Sequence, residues 1–282
     1  MTILPARPKA TPHRTSIEEI AQPLLRLSSV SKRFVSSRHD TTALQDIDLE
    51  INAGEFICVV GPSGCGKSTL LNLVAGLDKP TGGILTLDGA RIERSGSDRV
   101  VVFQEAALYP WLNVRANVEF GLKMRGAPRR ERGEIVDRYL ELVNLTRFEK
   151  AFVHELSGGM KQRVQLARAL AVEPRMLLMD EPFAALDAQT RDNLQLELQD
   201  IWARTGSTIL FITHNVREAA LLGDRVFVMT SSPGRMKAEI HVPLQRPRHL
   251  DTYAVADFAA EIRAALQDEE YAGRVAGTSF AI

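Results

Sequence analysis

Gly61-Pro62-Ser63-Gly64-Cys65-Gly66-Lys67-Ser68-Thr69 lies between an apolar run, Phe56-Ile57-Cys58-Val59-Val60, and Leu70-Leu71-Asn72-Leu73-Val74-Ala75, which reads as helix. A strand, a glycine-rich turn and a helix are the context that the phosphate-binding pattern G-x-x-x-x-G-K-[ST] requires. Glycines let the backbone approach a ligand closely, so that successive N–H groups converge on anionic oxygens. The helix adds its unpaired N–H groups and the positive end of its dipole. In this pattern Lys67 reaches the β- and γ-phosphates and the Ser68 hydroxyl ligates Mg2+, with Thr69 supporting the cradle. Alone, the segment specifies a nucleotide phosphate and not what its hydrolysis serves.

The 282 residues suffice for one large domain or two small ones, with apolar and charged fractions ordinary for a globular protein. Thirty-five Lys and Arg balance 35 Asp and Glu, which gives no electrostatic case for nucleic acid as a partner. No apolar run approaches the roughly 18–20 residues that span a bilayer, so work at a membrane would require other chains to hold the protein there. The two cysteines, Cys58 in the apolar strand and Cys65 inside the phosphate loop, do not suit a disulfide framework. The six histidines show no metal-ligand spacing.

Residues 1–23, with Pro5, Pro8, Pro12 and Pro23 among Arg, Lys and Thr, read as a disordered leader without the apolar segment of a signal peptide. Ser16-Ile17-Glu18-Glu19 has capping-box spacing. Short, partly alternating strands at 24–30, 44–51 and 84–88 suggest an antiparallel layer beside the nucleotide core. Phe34 follows Ser31-Lys32-Arg33. Its flat ring suits either a core position or a base, and the residues alone leave both open.

Arg99-Val100-Val101-Val102-Phe103 reads as a buried strand with Gln104 at its end, where ligands meet open α/β sheets. The period then changes. Val114, Val118, Gly121 and Leu122 share one helical face, as do Ile135, Tyr139, Leu142 and Val143, so about 105–157 reads as a helical insertion. In Leu156-Ser157-Gly158-Gly159-Met160, Ser157 is an N-cap candidate, and the helix start is either an anion site or an ordinary cap. Met176-Leu177-Leu178-Met179-Asp180-Glu181 is a strand ending in two carboxylates. Asp180 matches the acid that orients Mg2+ or its water ligands, and Glu181 is placed to act as base on a water near the γ-phosphate. A further strand at 207–213 ends at His214. Alternation of strands and helices with these motifs argues for a parallel α/β core. After Pro233-Gly234 come a short apolar piece at 238–244 and an amphipathic helix carrying Phe258, Ile262, Ala265 and Leu266.

With residues 61–69, Gln104, Leu156-Ser157-Gly158-Gly159-Met160, Asp180-Glu181, Ala185-Leu186-Asp187 and His214 in this order, the chain resembles an ATP-binding cassette (ABC) ATPase over about residues 24–230. The resemblance implies an α/β fold: a P-loop NTPase (RecA-like) core, an antiparallel β subdomain and an inserted α-helical subdomain, followed by a C-terminal extension at 231–282. It implies ATP and Mg2+ as ligands, and a nucleotide-sandwich dimer with a second copy. ATP held by Gly61, Pro62, Ser63, Gly64, Cys65, Gly66, Lys67, Ser68 and Thr69 would be capped by Ser157, Gly158 and Gly159 of the other copy. Phe34 would stack on adenine, and Ser68, Gln104 and Asp180 would serve Mg2+, Asp180 through water or directly. Gln104 would also sense the attacking water, Glu181 would be the base, His214 would contact the γ-phosphate, and Asp187 would couple the two sites.

Phe103-Gln104-Glu105-Ala106-Ala107-Leu108-Tyr109-Pro110-Trp111, Asp180-Glu181-Pro182-Phe183-Ala184-Ala185-Leu186-Asp187 and Pro233-Gly234-Arg235 resemble segments of the nitrate/sulfonate/taurine importers. That likeness implies a place on the cytoplasmic face of the cell membrane, bound near Tyr109-Pro110-Trp111 to a permease fed by a periplasmic binding protein. Asn215 departs from the usual Asp after the histidine, and activity is expected to survive it. The alternative is an ABC-type ATPase acting on DNA or ribosomes; such proteins typically carry coiled-coil, zinc-binding or duplicated-cassette insertions, which are absent from this sequence.

Overall fold

The computed structural model describes residues 22–36 and 40–277, with side chains through Gln267; the capping-box spacing at Ser16 and nearly all of the expected leader lie outside these residues. In chain order the strands are β1 (Leu25–Val35), β2 (Asp40–Ile51), β3 (Phe56–Val60), β4 (Gly82–Leu87), β5 (Ala90–Arg91), β6 (Arg99–Val102), β7 (Met176–Asp180), β8 (Thr208–Ile212), β9 (Arg225–Met229) and β10 (Met236–His241). The helices are α1 (Lys67–Ala75), α2 (Val114–Met124), α3 (Arg129–Leu142), α4 (Gly158–Ala171), α5 (Ala188–Thr205), α6 (Val216–Leu222) and α7 (Tyr253–Gly277).

Two sheets form. The central one runs β10-β9-β3-β8-β7-β6, parallel except for β10 at its edge. Its inner strands are predominantly apolar because both faces are covered. Side chains alternate across a strand, so Ile57 and Val59 of β3 face one core, with α1 and the smaller sheet. Phe56, Cys58 and Val60 face the other, with the remaining helices. Helix α1 has nine residues, too short to persist alone. Burial of Leu70, Leu71, Leu73 and Val74 holds it, each such side chain contributing about 1.5–3 kcal/mol.

The antiparallel sheet, β2-β1-β4-β5, packs over α1 as the sequence suggests. Where β4 crosses an irregularity in β1, Gly83 takes φ +77°, and a Cβ there would lie 2.3 Å from the Ser29 carbonyl oxygen. Phe34 is 46% exposed near the end of β1, which removes the core alternative for that ring.

Helices α2 and α3 pack against α4, so the helical layer between β6 and β7 continues through Ala171. Strand β10 extends the central sheet, and α7 lies on α6 and β9 with Val255, Ala259 and Ile262 buried. The tail is riveted in place by Arg248, 4% exposed, whose guanidinium donates to the carbonyls of Ala220, Gly223, Val242 and Leu244. Burial lowers its pKa to about 10.

Candidate functional site

Strands β3, β8, β7 and β6 lie side by side and parallel, so their C-terminal ends deliver the phosphate loop, His214, Asp180-Glu181 and Gln104 to one edge of the sheet. Neighbouring strands are about 4.8 Å apart. Short connections from successive strand ends therefore gather residues that are more than a hundred positions apart in sequence.

The loop after β3 turns at Gly66, whose φ is +98°. A Cβ there would also meet the Ala43 oxygen and Leu44 Cδ2, both at 2.8 Å, so the position excludes a side chain on two grounds. The Gly234 turn buttresses the loop from behind. Its N–H donates to the Ala43 carbonyl at 2.9 Å, its own carbonyl accepts from the Gln45 N–H at 2.9 Å, and a Cβ on it would sit 2.0 Å from the Cys65 oxygen. Lys67 curls back over the loop and donates to the Gly61 and Pro62 carbonyls at 2.9 and 3.0 Å. Ser63, Gly64 and Ser68 are exposed, while Cys65 is buried, and that burial pushes its thiol pKa up.

Asp180 has the Ser68 hydroxyl and the Lys67 ammonium in its neighbourhood. Its carboxyl is raised above the ordinary range, first by burial and then by the neighbouring Glu181 charge, with Ser68 and Lys67 opposing. A half-buried carboxylate near a hydroxyl offers the hard oxygen ligands that Mg2+ takes, and the two residues fit that ion.

Glu181 adopts φ +45°, a left-handed conformation that costs a non-glycine residue about 1–3 kcal/mol. Its surroundings hold it there. The Glu181 N–H donates to the Ile212 carbonyl at 3.0 Å, its carbonyl accepts from Ala184 N–H at 3.1 Å, and the next carbonyl, of Pro182, accepts from the buried Gln162 amide. The side chain consequently leaves the strand end and meets His214, with Oε2 2.8 Å from Nδ1. Nδ1 is the donor in that pair, because an ionised carboxylate only accepts.

Behind His214 lies a buried polar cluster. Thr213 Oγ1 donates to Glu218 Oε2 at 2.5 Å, Gln195 Nε2 donates to Glu218 Oε1 at 2.8 Å, and Asn215 N–H donates to Thr213 Oγ1 at 2.9 Å. Burial raises the Glu218 carboxyl above its ordinary value against these hydrogen bonds. Asn215 caps α6 by accepting from Arg217 N–H at 3.0 Å. Asn and Asp cap equally well, so the departure leaves the helix start intact.

Gln104 is exposed beyond β6, and the residue before it is held by Gln165 of α4, whose amide donates to the Phe103 carbonyl at 3.2 Å. Ser157 caps α4 as expected, accepting from Met160 N–H at 3.3 Å. Side chains built at Gly158 and Gly159 would meet only Leu186, Thr190 and Leu194, and nothing of the phosphate loop. Among the described residues, no hydrogen bond joins Ser157, Gly158 or Gly159 to the phosphate loop of the same chain. Asp187 caps α5, and the Thr190 N–H that it accepts at 3.0 Å lowers its carboxyl pKa. Phe34 keeps an open ring with Lys32 Nζ 4.8 Å from its centroid; that ammonium is anchored by Asp78 at 2.6 Å and the Lys79 carbonyl at 2.8 Å.

The segment Tyr109-Pro110-Trp111 is rigidly held. Asn117, fully buried, accepts from Tyr109 N–H at 2.9 Å and donates to the Tyr109, Leu112 and Asn113 carbonyls. Arg168 stands over the Tyr109 ring, and Trp111 is 71% exposed. A cavity of about 700 Å³ opens elsewhere, among Gly54, Arg175, Gly206 and Thr208 at the opposite strand ends, and includes none of the residues above.

Sequence reasoning missed Glu218, Gln195, Gln165 and Asn117 as parts of the site's support. The signal was present as polar letters at core-facing helical positions, such as Gln195 beside Leu194 and Leu198. The partners of those residues could not be read from it.

Residues 44–184 match the ABC transporter family. The chain is 50% identical over 220 residues to the nitrate import ATP-binding protein NrtD of Synechocystis sp., covering 78% of this chain and 83% of that protein. Identity to the taurine import ATP-binding protein TauB of Roseobacter denitrificans is 49% over 220 residues, 78% of this chain and 82% of that one. Among solved structures, the dimeric ATP-binding cassette MJ0796 in a post-hydrolysis state bound to ADP and Pi superposes with a TM-score of 0.67 at 33% identity, over 78% of this chain and all of that one. The chain therefore belongs to the ABC transporter family, as an ATP-binding cassette that hydrolyses ATP.

Proposed function

We propose that this cassette is the ATP-hydrolysing subunit of an importer for a small anionic or zwitterionic solute, of the nitrate, sulfonate or taurine kind. Relatives at about half identity over most of both chains carry import names for nitrate and taurine. The observation that carries the catalytic reading is the Glu181–His214 pair beside the Ser68–Asp180 pair at the phosphate-loop edge of the sheet.

ATP is the substrate. The N–H groups of the loop and of α1 receive its phosphates, and Lys67 exchanges two backbone carbonyls for phosphate oxygens. Glu181 takes the proton of the attacking water, a contribution of roughly 10²–10⁴ in rate. His214 orients that carboxylate through Nδ1 and reaches the γ-phosphate. Phe34 stacks on the adenine. Ser68, Asp180 and Gln104 hold Mg2+, which when bound neutralises charge on the phosphates. Ser157, Gly158 and Gly159 act on the nucleotide of a second copy, a reading supported by the lack, among the described residues, of any direct contact between them and the phosphate loop of their own chain. Closure and reopening of that dimer would then drive a permease seated on the exposed Trp111.

No described helix is long and apolar enough to cross a membrane; the permease holds the cassette at the cytoplasmic face, and a periplasmic binding protein supplies the solute. To test this, tagged full-length chain is isolated from its native membranes and the complex is reconstituted in vesicles. A polytopic pair is expected to co-purify and to take up labelled nitrate or taurine with ATP. Recovery of ribosomes or DNA, with no membrane pair, rejects the importer.

A further inference from the structure

The structure assigns to Glu218 a role that its motif neighbours do not fill: we infer that it is a positioning residue, tying the Asp187-capped start of α5 to the loop that aims His214. The inference rests on the reading of His214 as a γ-phosphate contact.

The geometry is specific. Glu218 is 6% exposed, and each of its carboxylate oxygens has one donor: Thr213, immediately before His214, on one side, and Gln195 of α5 on the other. The Thr213 hydroxyl is committed in both directions, donating to Glu218 and accepting from Asn215 N–H, so the residues on either side of His214 are fixed by one carboxylate. Gln195 lies two helical turns along α5 from its Asp187 cap. One turn along, Arg191 donates to the Leu186 carbonyl at 2.8 Å, has a buried Nε with no hydrogen-bond partner, and lines a cavity of about 40 Å³ with Glu181, His214 and Glu218. A displacement of the α5 start therefore acts on the Glu218 side of that cavity and, through Thr213, on the His214 backbone. Buried hydrogen-bonded networks are stiff, and their members act non-additively.

The test uses purified full-length chain, measuring phosphate release at varied ATP. Glu218→Ala is expected to lower kcat at least tenfold with KM for ATP within twofold of the parent. Glu218→Gln keeps one carbonyl oxygen for the Thr213 hydroxyl and is expected to return kcat to within threefold. In a His214→Ala background, followed by radiolabelled phosphate release, Glu218→Ala should cost less than a further twofold. If Glu218→Ala melts below the assay temperature, Thr213→Val, which removes the hydroxyl and keeps the shape, must show the same dependence on His214. An equal factor in both backgrounds, or a rise in KM in step with the fall in kcat, overturns the inference. If His214→Ala is tenfold or more impaired while Glu218→Ala stays within twofold of the parent, the inference alone fails. If His214→Ala itself turns over within twofold of the parent, the γ-phosphate role of His214 fails, and the inference with it.

Discussion

Glu181 Oε2 and His214 Nδ1 lie 2.8 Å apart across the ends of adjacent parallel strands, although 33 positions separate them in sequence. The contact exists because β7 and β8 pair in register through Asp180 and Ile212, and because the Glu181 backbone leaves the strand in a left-handed turn that aims its side chain sideways. A carboxylate with one oxygen engaged keeps the other for a water.

Glu181→Gln preserves that shape and removes the basicity. Turnover should fall at least a hundredfold while ATP affinity stays within about threefold of the parent, and ATP should then hold the chain as a dimer in size-exclusion chromatography. Undiminished steady-state hydrolysis removes Glu181 from the role of base.

At the start of α4, Cβ atoms built on Gly158 and Gly159 meet Leu186 and Thr190 and nothing of the phosphate loop of their own chain, and the proposed sandwich puts the phosphate partner of Ser157 in a second copy. Cysteine substituted at Ser157 should form an ATP-dependent intermolecular crosslink to the partner copy's phosphate loop through a short bifunctional thiol reagent. Absence of any ATP-dependent crosslink counts against the sandwich. Loss of the cap itself costs about 1 kcal/mol, which leaves the fold intact for the experiment.

Phe34 is half exposed and contributes little to packing. Phe34→Ala should therefore leave the melting temperature within about 2 °C of the parent. It should weaken ATP binding by roughly five- to a hundredfold, the loss that one base–aromatic stack of about 1–3 kcal/mol predicts. Equal affinity for ATP in titration calorimetry assigns the adenine to another surface.

Arg248→Ala should act in the opposite way. It strips a buried guanidinium from four backbone carbonyls around the end of α6, and unsatisfied buried acceptors cost about 1–3 kcal/mol each. A melting temperature lower by about 5–10 °C is expected by calorimetry, with ATP affinity of the folded protein near that of the parent. A shift under 2 °C makes the tail an appendage to the cassette rather than part of it.

The motifs are legible because phosphate chemistry constrains local sequence tightly: Gly66, Lys67 and Ser68 must follow one another, and Asp180 and Glu181 must end an apolar strand. Strand positions were readable for a related reason, since a sheet covered on both faces writes unbroken apolar runs such as Phe56–Val60 and Met176-Leu177-Leu178-Met179. Arg248 was invisible. In sequence it is one of the basic residues around Pro247, and only the packed structure turns it toward the end of α6.

By itself, then, the sequence determined the nucleotide chemistry, the parallel core and the helical insertion, all set by short-range spacing and periodicity. Tertiary structure decided what spacing cannot carry. It opened the Phe34 ring to solvent, set Gly234 behind the phosphate loop, joined Glu181 to His214, and placed Glu218 between Thr213 and Gln195. Those relations depend on strand order and on which buried polar group finds which partner, and both arise only when distant segments pack together.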